Sequence, residues 1–351
     1  MLKNSFEISN TNISIPNLDS LKENSFNAVR LFCCLLVIVG HCFDISGIQF
    51  RFRSLIDMHI SVCIFFILSG FWVTKSFLGS KNIKEYALKR IKKLLPLYYF
   101  SVFLFAIICA SFSTLTVQQY FTSSHFWKYI FWNCCFLNFV CPSLPGVFEN
   151  AAINGALWTI KVEIGFYVIL PVLIIFLNKI NSKKKQNIFL IIIYILSVLW
   201  SELLGKFSSV LHIPVQLAHQ LPGFMSFFVM GMLFLLNWDK LISKKNYFII
   251  PAILIFALHY FTKTEILMPC ALASIIMWLG TSLPCLKRIG VPLDYSYGMY
   301  LFHFPLANIF THLQLFSVNF VWGMITTIAI SFMLAFLSEK YIQYNFNRRI
   351  K

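Results

Sequence analysis

Charge is what this 351-residue chain has least of: Asp, Glu, Lys and Arg together make up 12% of it, and only 13 residues are acidic. So little charge excludes an ordinary soluble domain, which needs far more polar surface to face water. Other features are missing too. No internal repeat is detectable, and the one low-complexity tract is KKK at 183–185. The 10 cysteines show no metal-ligand spacing, so no metal site is expected. No cleavable signal is visible either, because the first apolar run follows a polar stretch rich in Asn and Ser and is too long for a signal core. No appended soluble domain is expected. What fills the chain instead is apolar: 58% of residues are hydrophobic and the mean hydropathy is +0.75, the composition of an integral membrane protein.

Apolar runs long enough to cross about 30 Å of hydrocarbon as helices recur at 27–46, 57–79, 94–112, 156–178, 187–204, 219–237, 246–262, 265–283, 294–313 and 318–338. The sequence therefore predicts an all-α, polytopic bundle of about ten transmembrane helices. The segment 126–141 is shorter and carries Lys128, Asn133 and Asn138, so it reads as an interfacial or re-entrant piece. Basic residues fix the orientation, since cytoplasmic loops hold the Lys and Arg excess. With both termini cytoplasmic, the outer segments hold only Arg51, Arg53, Lys128, Lys206 and Lys263, while the inner ones hold clusters such as 81–93, 179–185 and 240–245. The net charge of +16 is then a topology signal and an attraction to anionic headgroups, and nucleic acid is not an expected partner. The domain plan is a cytoplasmic tail over 1–26, one transmembrane domain over 27–338 and a basic cytoplasmic tail over 339–351. Cys134, Cys135 and Cys141 fall on the outer side, where a disulfide is open but undetermined.

Arg30 and His41 share the first apolar run, ten uncharged residues apart. Eleven steps of α-helix turn through about 1100°, so both side chains lie within about 20° of one face, roughly 16 Å apart along the axis. An ionisable group at that depth usually faces a partner or a wet cavity; the alternative is Arg30 snorkelling to headgroups while His41 makes an interhelical hydrogen bond. Glu163 lies about two turns into the fourth run and is placed to share the level of His41. In the ninth run, Ser296, Tyr300 and His303 follow one another at spacings of four and three, on adjoining positions of one face.

Four segments have a recognisable form. RLFCCLLVIVGH (30–41) resembles the first-helix signature of the membrane acyltransferase family 3. FFILSGFWVTKSF (65–77), with the following KRIKKLLPLYY (89–99), is similar to that family's second helix and the basic segment after it. ALWTIKVEIGFYVILPVL (156–173) is similar to its Trp, Glu and Phe-Tyr motif, and SYGMYLFHFPL (296–306) to its ninth-helix motif. Their order and spacing extend the resemblance over essentially the whole chain.

The resemblance implies an inner-membrane enzyme that takes an acyl group, usually acetyl, from cytosolic acyl-CoA and places it on a sugar hydroxyl of an envelope glycan or its lipid-linked precursor, with no permanently bound cofactor. It maps the catalytic histidine onto His41, the cofactor-side arginine onto Arg30, and a basic pair onto Arg90 and Lys93. Lys in the second place keeps the charge but loses the bidentate fork for phosphate. The chemistry fits independently: acyl-CoA needs a cationic mouth for its phosphates and a distant base for the thioester. Asp44 or Glu163 is the expected orienter of the imidazole, Glu163 being favoured; Ser296, Tyr297, Tyr300 and His303 are the candidates for substrate or oxyanion contacts. Outer-loop aromatics Tyr120, Trp127 and Trp132 are placed to select the acceptor. Without a soluble domain, the reaction is expected to finish within the membrane. The competing reading is a proton-coupled transporter or flippase of a glycan precursor, with His41, Glu163 and His303 as a relay.

Overall fold

The computed structural model describes residues 24–49, 56–210, 212–262, 264–290 and 294–343, with 13, 16–18, 21, 51 and 53 as isolated positions. Most of the expected 1–26 tail, and 344–351 of the expected basic tail, lie outside the described residues.

Each expected crossing is helical. Among the described residues, eight helical segments are long and apolar enough to span a bilayer. They are built on α1 (Phe26–Ser46), α2 (Met58–Leu78), α3 (Ile83–Ile108), α6 (Trp158–Asn178), α7 (Lys183–Phe207), α8 (Leu221–Leu236), α10 (Lys245–Thr262) and α14 (Phe320–Ser338). The other two expected crossings form α11 (Met268–Ser282) and α12 (Ser296–His312), of 15 and 17 residues, or about 22 Å and 26 Å of helix. Between α3 and α6 lie two short helices, α4 (Val117–Thr122) and α5 (Ser124–Cys134), the second being the piece expected at 126–141. Two more, α9 (Trp238–Ile242) and α13 (Leu315–Val318), connect longer neighbours. The largest boundary difference is at α3, which begins at Ile83, eleven residues before 94. Its first turns, IKEYALKRIKK, are amphipathic and basic, so they are helical without being apolar.

The chain divides into two compact units, each assembled from separate stretches. The first comprises the described residues of Met1–Arg30, Val62–Leu88 and Val162–Val291. Its centre is α8, nearly all of whose side chains are buried. Two glycines let α2 and α8 meet backbone to backbone: a Cβ on Gly70 would lie 1.9 Å from the Phe228 carbonyl oxygen, and one on Gly231 would lie 2.0 Å from that of Ile67. Small residues permit this approach where lipid supplies no hydrophobic drive between helices. Rings fill the remaining space, Phe166 stacking on Phe228 at 4.4 Å and Phe66 lying edge-on to Phe166 and Phe224. Outermost in this unit, α10 leaves Ile250, Leu254 and Phe261 exposed, which suits contact with lipid tails.

The second unit comprises the described residues of Leu31–Ser61, Lys89–Lys161 and Pro292–Lys351. Here α12 is the buried element, packed on α14 with Gly298 against Ala335. The 113–155 region folds onto the end of α3. The Tyr120 hydroxyl donates to the Ala106 carbonyl at 2.8 Å and the Tyr98 hydroxyl to that of Asn133 at 2.8 Å. Thr116 and Gln119 form a capping box on α4. Burial raises the phenols of Tyr120 and Tyr129 above their ordinary range, so both act as neutral hydroxyls. Cys134, Cys135 and Cys141 are all free thiols.

Candidate active site

The site is organised by α12, and a proline fixes where that helix sits. Pro305 has no N–H, so the Leu301 carbonyl one turn earlier loses its helical partner. Two side chains supply the missing donors: the Asn154 amide at 2.9 Å and the Ser101 hydroxyl at 3.3 Å. Further hydroxyls hold the same helix. Tyr297 donates to the Leu94 carbonyl at 2.9 Å, and Tyr300 accepts from Thr159 at 2.9 Å while donating to the Ala156 carbonyl at 3.4 Å. The Ser296 hydroxyl donates to Asp294, and its carbonyl accepts from the Cys34 thiol of α1 at 3.3 Å. Ser296, Tyr297 and Tyr300 thus spend their donor hydrogens on protein acceptors and lock α12 against α1, α3 and the start of α6.

So held, α12 brings His303 to His41. His41 Nδ1 and His303 Nε2 lie 2.8 Å apart. The two rings are nearly coplanar, with centroids 5.1 Å apart and an interplanar angle of 19°, so they meet edge to edge through this bond. His303 is fully buried, and its Nδ1 lies 2.8 Å from the Tyr300 carbonyl oxygen and 3.3 Å from that of Met299.

That chain of contacts assigns both tautomers, because a carbonyl oxygen can only accept. His303 Nδ1 carries the proton, leaving Nε2 as an acceptor. His41 Nδ1 must donate into it. The Nε2 of His41 is then the bare lone pair of the pair, on a ring that is half-buried. Phe304 packs edge-on against the His41 ring at 4.9 Å, and Gly155 leaves room for it, since a Cβ there would lie 2.7 Å from the Phe304 ring. A neutral imidazole with a fixed tautomer, an open Nε2 and an apolar wall is the arrangement a general base requires.

The other expected residues fall as follows. Glu163 belongs to the first unit, where it accepts a 2.5 Å hydrogen bond from the Ser69 hydroxyl. Asp44, in the last turn of α1, is bound by Arg53, whose Nη2 lies 2.8 Å and 2.9 Å from its two carboxylate oxygens. In the second unit, Arg90 is half-buried and Lys93 exposed, three residues apart on α3 and therefore on neighbouring positions of one helix face. Arg30 is half-buried on α1, which runs unbroken from Phe26 to Ser46 as the Arg30–His41 spacing requires.

Two site residues escaped the sequence reading. Asn154 and Ser101 carry signals only once Pro305 is taken as leaving a carbonyl to be satisfied, and then only as a residue type, not a position. His303 was expected as a substrate contact, or in the transporter reading as one of a relay with His41 and Glu163, and not as the group that orients the His41 ring.

Comparison with known proteins gives a consistent picture. A family profile described as an acyltransferase domain, that of the membrane acyltransferase family 3, matches residues 23–337. An O-acetyl transferase of Shigella phage Sf6 is 26% identical over 348 residues, covering 93% of this chain and 97% of that protein. The peptidoglycan O-acetyltransferase OatA of Listeria monocytogenes is 25% identical over 332 residues, covering 81% of this chain and 50% of its own length. Nodulation protein 10 of Rhizobium leguminosarum is 25% identical over 167 residues, 43% of this chain and 44% of that protein. The chain thus spans nearly all of the phage relative but about half of OatA. No solved structure matches it.

Proposed function

The chain belongs to the membrane acyltransferase family 3, and we propose that it moves an acyl group, acetyl by preference, from cytosolic acyl-CoA to a hydroxyl of an envelope glycan. The acceptor class is an O-antigen, capsule or exopolysaccharide, or a lipid-linked precursor, and the membrane is the inner one. Relatives named as an O-acetyl transferase and a peptidoglycan O-acetyltransferase support oxygen as the acceptor atom and a glycan as its carrier.

One observation carries the mechanism: the 2.8 Å bond from His41 Nδ1 to His303 Nε2, with His303 pinned in turn by the Tyr300 carbonyl. His41 Nε2 takes the acceptor's hydroxyl proton as the oxygen attacks the thioester carbonyl carbon. The tetrahedral centre collapses, the C–S bond breaks, and the CoA sulfur leaves with the proton that His41 returns. The products are an O-acyl ester and free CoA thiol. His303 plays the orienting part that a carboxylate plays in a hydrolase triad, but as a neutral ring. The cation formed at His41 is therefore stabilised by a hydrogen bond and not by a countercharge. Full burial of His303 disfavours moving that charge further inward.

Arg30, Arg90 and Lys93 are assigned to the phosphates of the donor, Arg90 as the bidentate ligand and Lys93 as a point charge. The test uses the full chain in lipid nanodiscs with radiolabelled acetyl-CoA and extracted envelope glycan. Label is expected in the glycan in step with CoA release; a protein that binds no acyl-CoA while moving glycan across the bilayer contradicts the proposal in favour of transport.

A further inference from the structure

In the first unit, where the 179–185 and 240–245 lysine clusters begin, lies a cavity of about 330 Å³ lined by Asn181, Lys183, Gln186, Leu236, Asn237, Asp239 and Lys240. The helix that opens onto it, α7, starts with the wrong charge. A helix N-terminus carries a partial positive charge and favours anions, yet the first turn of α7 is Lys183, Lys184 and Lys185 with no acidic residue. Its N-cap, Ser182, makes no side-chain capping bond, so the first-turn N–H groups gain nothing from it.

Lys183 compounds the imbalance. Its ammonium is withdrawn from solvent and no hydrogen-bond partner reaches it, and Lys240 bears on it as a like charge. The amides of the lining are engaged with other groups. Gln186 donates to the Leu177 and Ile180 carbonyls at 3.2 Å and 3.0 Å. Asn237 and Asn187 form a reciprocal pair, both bonds 3.0 Å. Those same bonds make the walls rigid. An ammonium withdrawn from solvent on a half-buried side chain, beside a second cation and an uncapped helix N-terminus, favours an anion with several acceptor oxygens.

We propose that this cavity is a phosphate-binding site, in which one phosphate group accepts from the Lys183 and Lys240 ammonium groups and from the first-turn N–H groups of α7. Asp239 on the rim carries the opposite charge and suits a ligand whose phosphate bears a polar or cationic substituent. The phosphate reaches the site either as a lipid headgroup from the adjoining leaflet or as a soluble phosphorylated molecule. Binding of either requires no acyl transfer.

The test reads binding and not activity. Full-length protein in dodecyl maltoside, which carries no phosphate, is examined by native mass spectrometry and thermal unfolding with phosphatidylglycerol, with diacylglycerol or with inorganic phosphate. The expected result is retention of phosphatidylglycerol but not diacylglycerol, and a rise in unfolding temperature with the retained ligand. Stabilisation by phosphatidylglycerol alone assigns a lipid headgroup; stabilisation by inorganic phosphate as well assigns an open phosphate site. Lys183→Gln with Lys240→Gln is expected to weaken binding about tenfold or more, and Lys183→Arg to retain it. Equal retention of phosphatidylglycerol and diacylglycerol by the wild type with no effect of inorganic phosphate, or unchanged binding in the double Gln variant, overturns the site. The wild-type comparison stands even where the double variant does not fold.

Discussion

At the scale of single residues, catalysis turns on which group holds the His41 ring. The sequence offered carboxylates, Glu163 and Asp44, because an imidazole base is commonly oriented by one. In the structure Asp44 is taken by Arg53, Glu163 accepts from Ser69, and His303 occupies Nδ1 of His41. His303→Ala is therefore expected to lower kcat about 10- to 100-fold with little change in the KM for acetyl-CoA, since it frees the ring to turn without removing the base. His303→Gln, whose amide oxygen can accept from His41 Nδ1, is expected to recover part of that loss. Glu163→Gln is expected to cost less than His303→Ala. Steady-state kinetics on the purified variants check all three, and a Glu163→Gln defect larger than that of His303→Ala returns the orienting role to the carboxylate.

At the scale of elements, Gly70 belongs to the FFILSG segment that the sequence singled out only as a motif. Its physical task is close contact, with the Phe228 carbonyl 1.9 Å from where a Cβ would stand. Backbone cannot yield as a side-chain tip can. Gly70→Ala is expected to push α2 from α8 and cost about 2 kcal/mol or more, seen as a lower unfolding temperature in detergent. Gly205, which has nothing within 4 Å of its Cβ position, serves as the control. Helix existence was legible throughout, because an apolar run of eighteen residues has few other fates. The early start of α3 was not, because a basic amphipathic turn carries no apolar signal. Nor were the short lengths of α11 and α12, which depend on where neighbouring loops pull the chain out of helix. Periodicity placed His41, Ser296, Tyr300 and His303 on faces of their own helices. It said nothing of which helices would be neighbours, and the His41–His303 bond joins residues 262 positions apart.

At the scale of the whole molecule, the chain is a multi-pass membrane acyltransferase, which removes the main support for the transporter reading. Its sidedness is a prediction of the Lys and Arg distribution. Cys135 and Cys285 are both exposed, on loops assigned to opposite sides of the membrane. A membrane-impermeant maleimide is expected to label Cys135 in intact spheroplasts and Cys285 only after permeabilisation; the reverse pattern inverts the topology and puts the donor phosphates on the wrong face.

The lone pair of His41 Nε2, as the acceptor of the hydroxyl proton, is the centre of the proposed mechanism. The direct measurement is acyl transfer by purified protein in nanodiscs, comparing wild type with His41→Ala and His41→Gln at saturating acetyl-CoA. Both variants are expected to bind acetyl-CoA still but to transfer the label at least about 100-fold more slowly. A His41→Ala protein that acylates the glycan at the wild-type rate contradicts that mechanism.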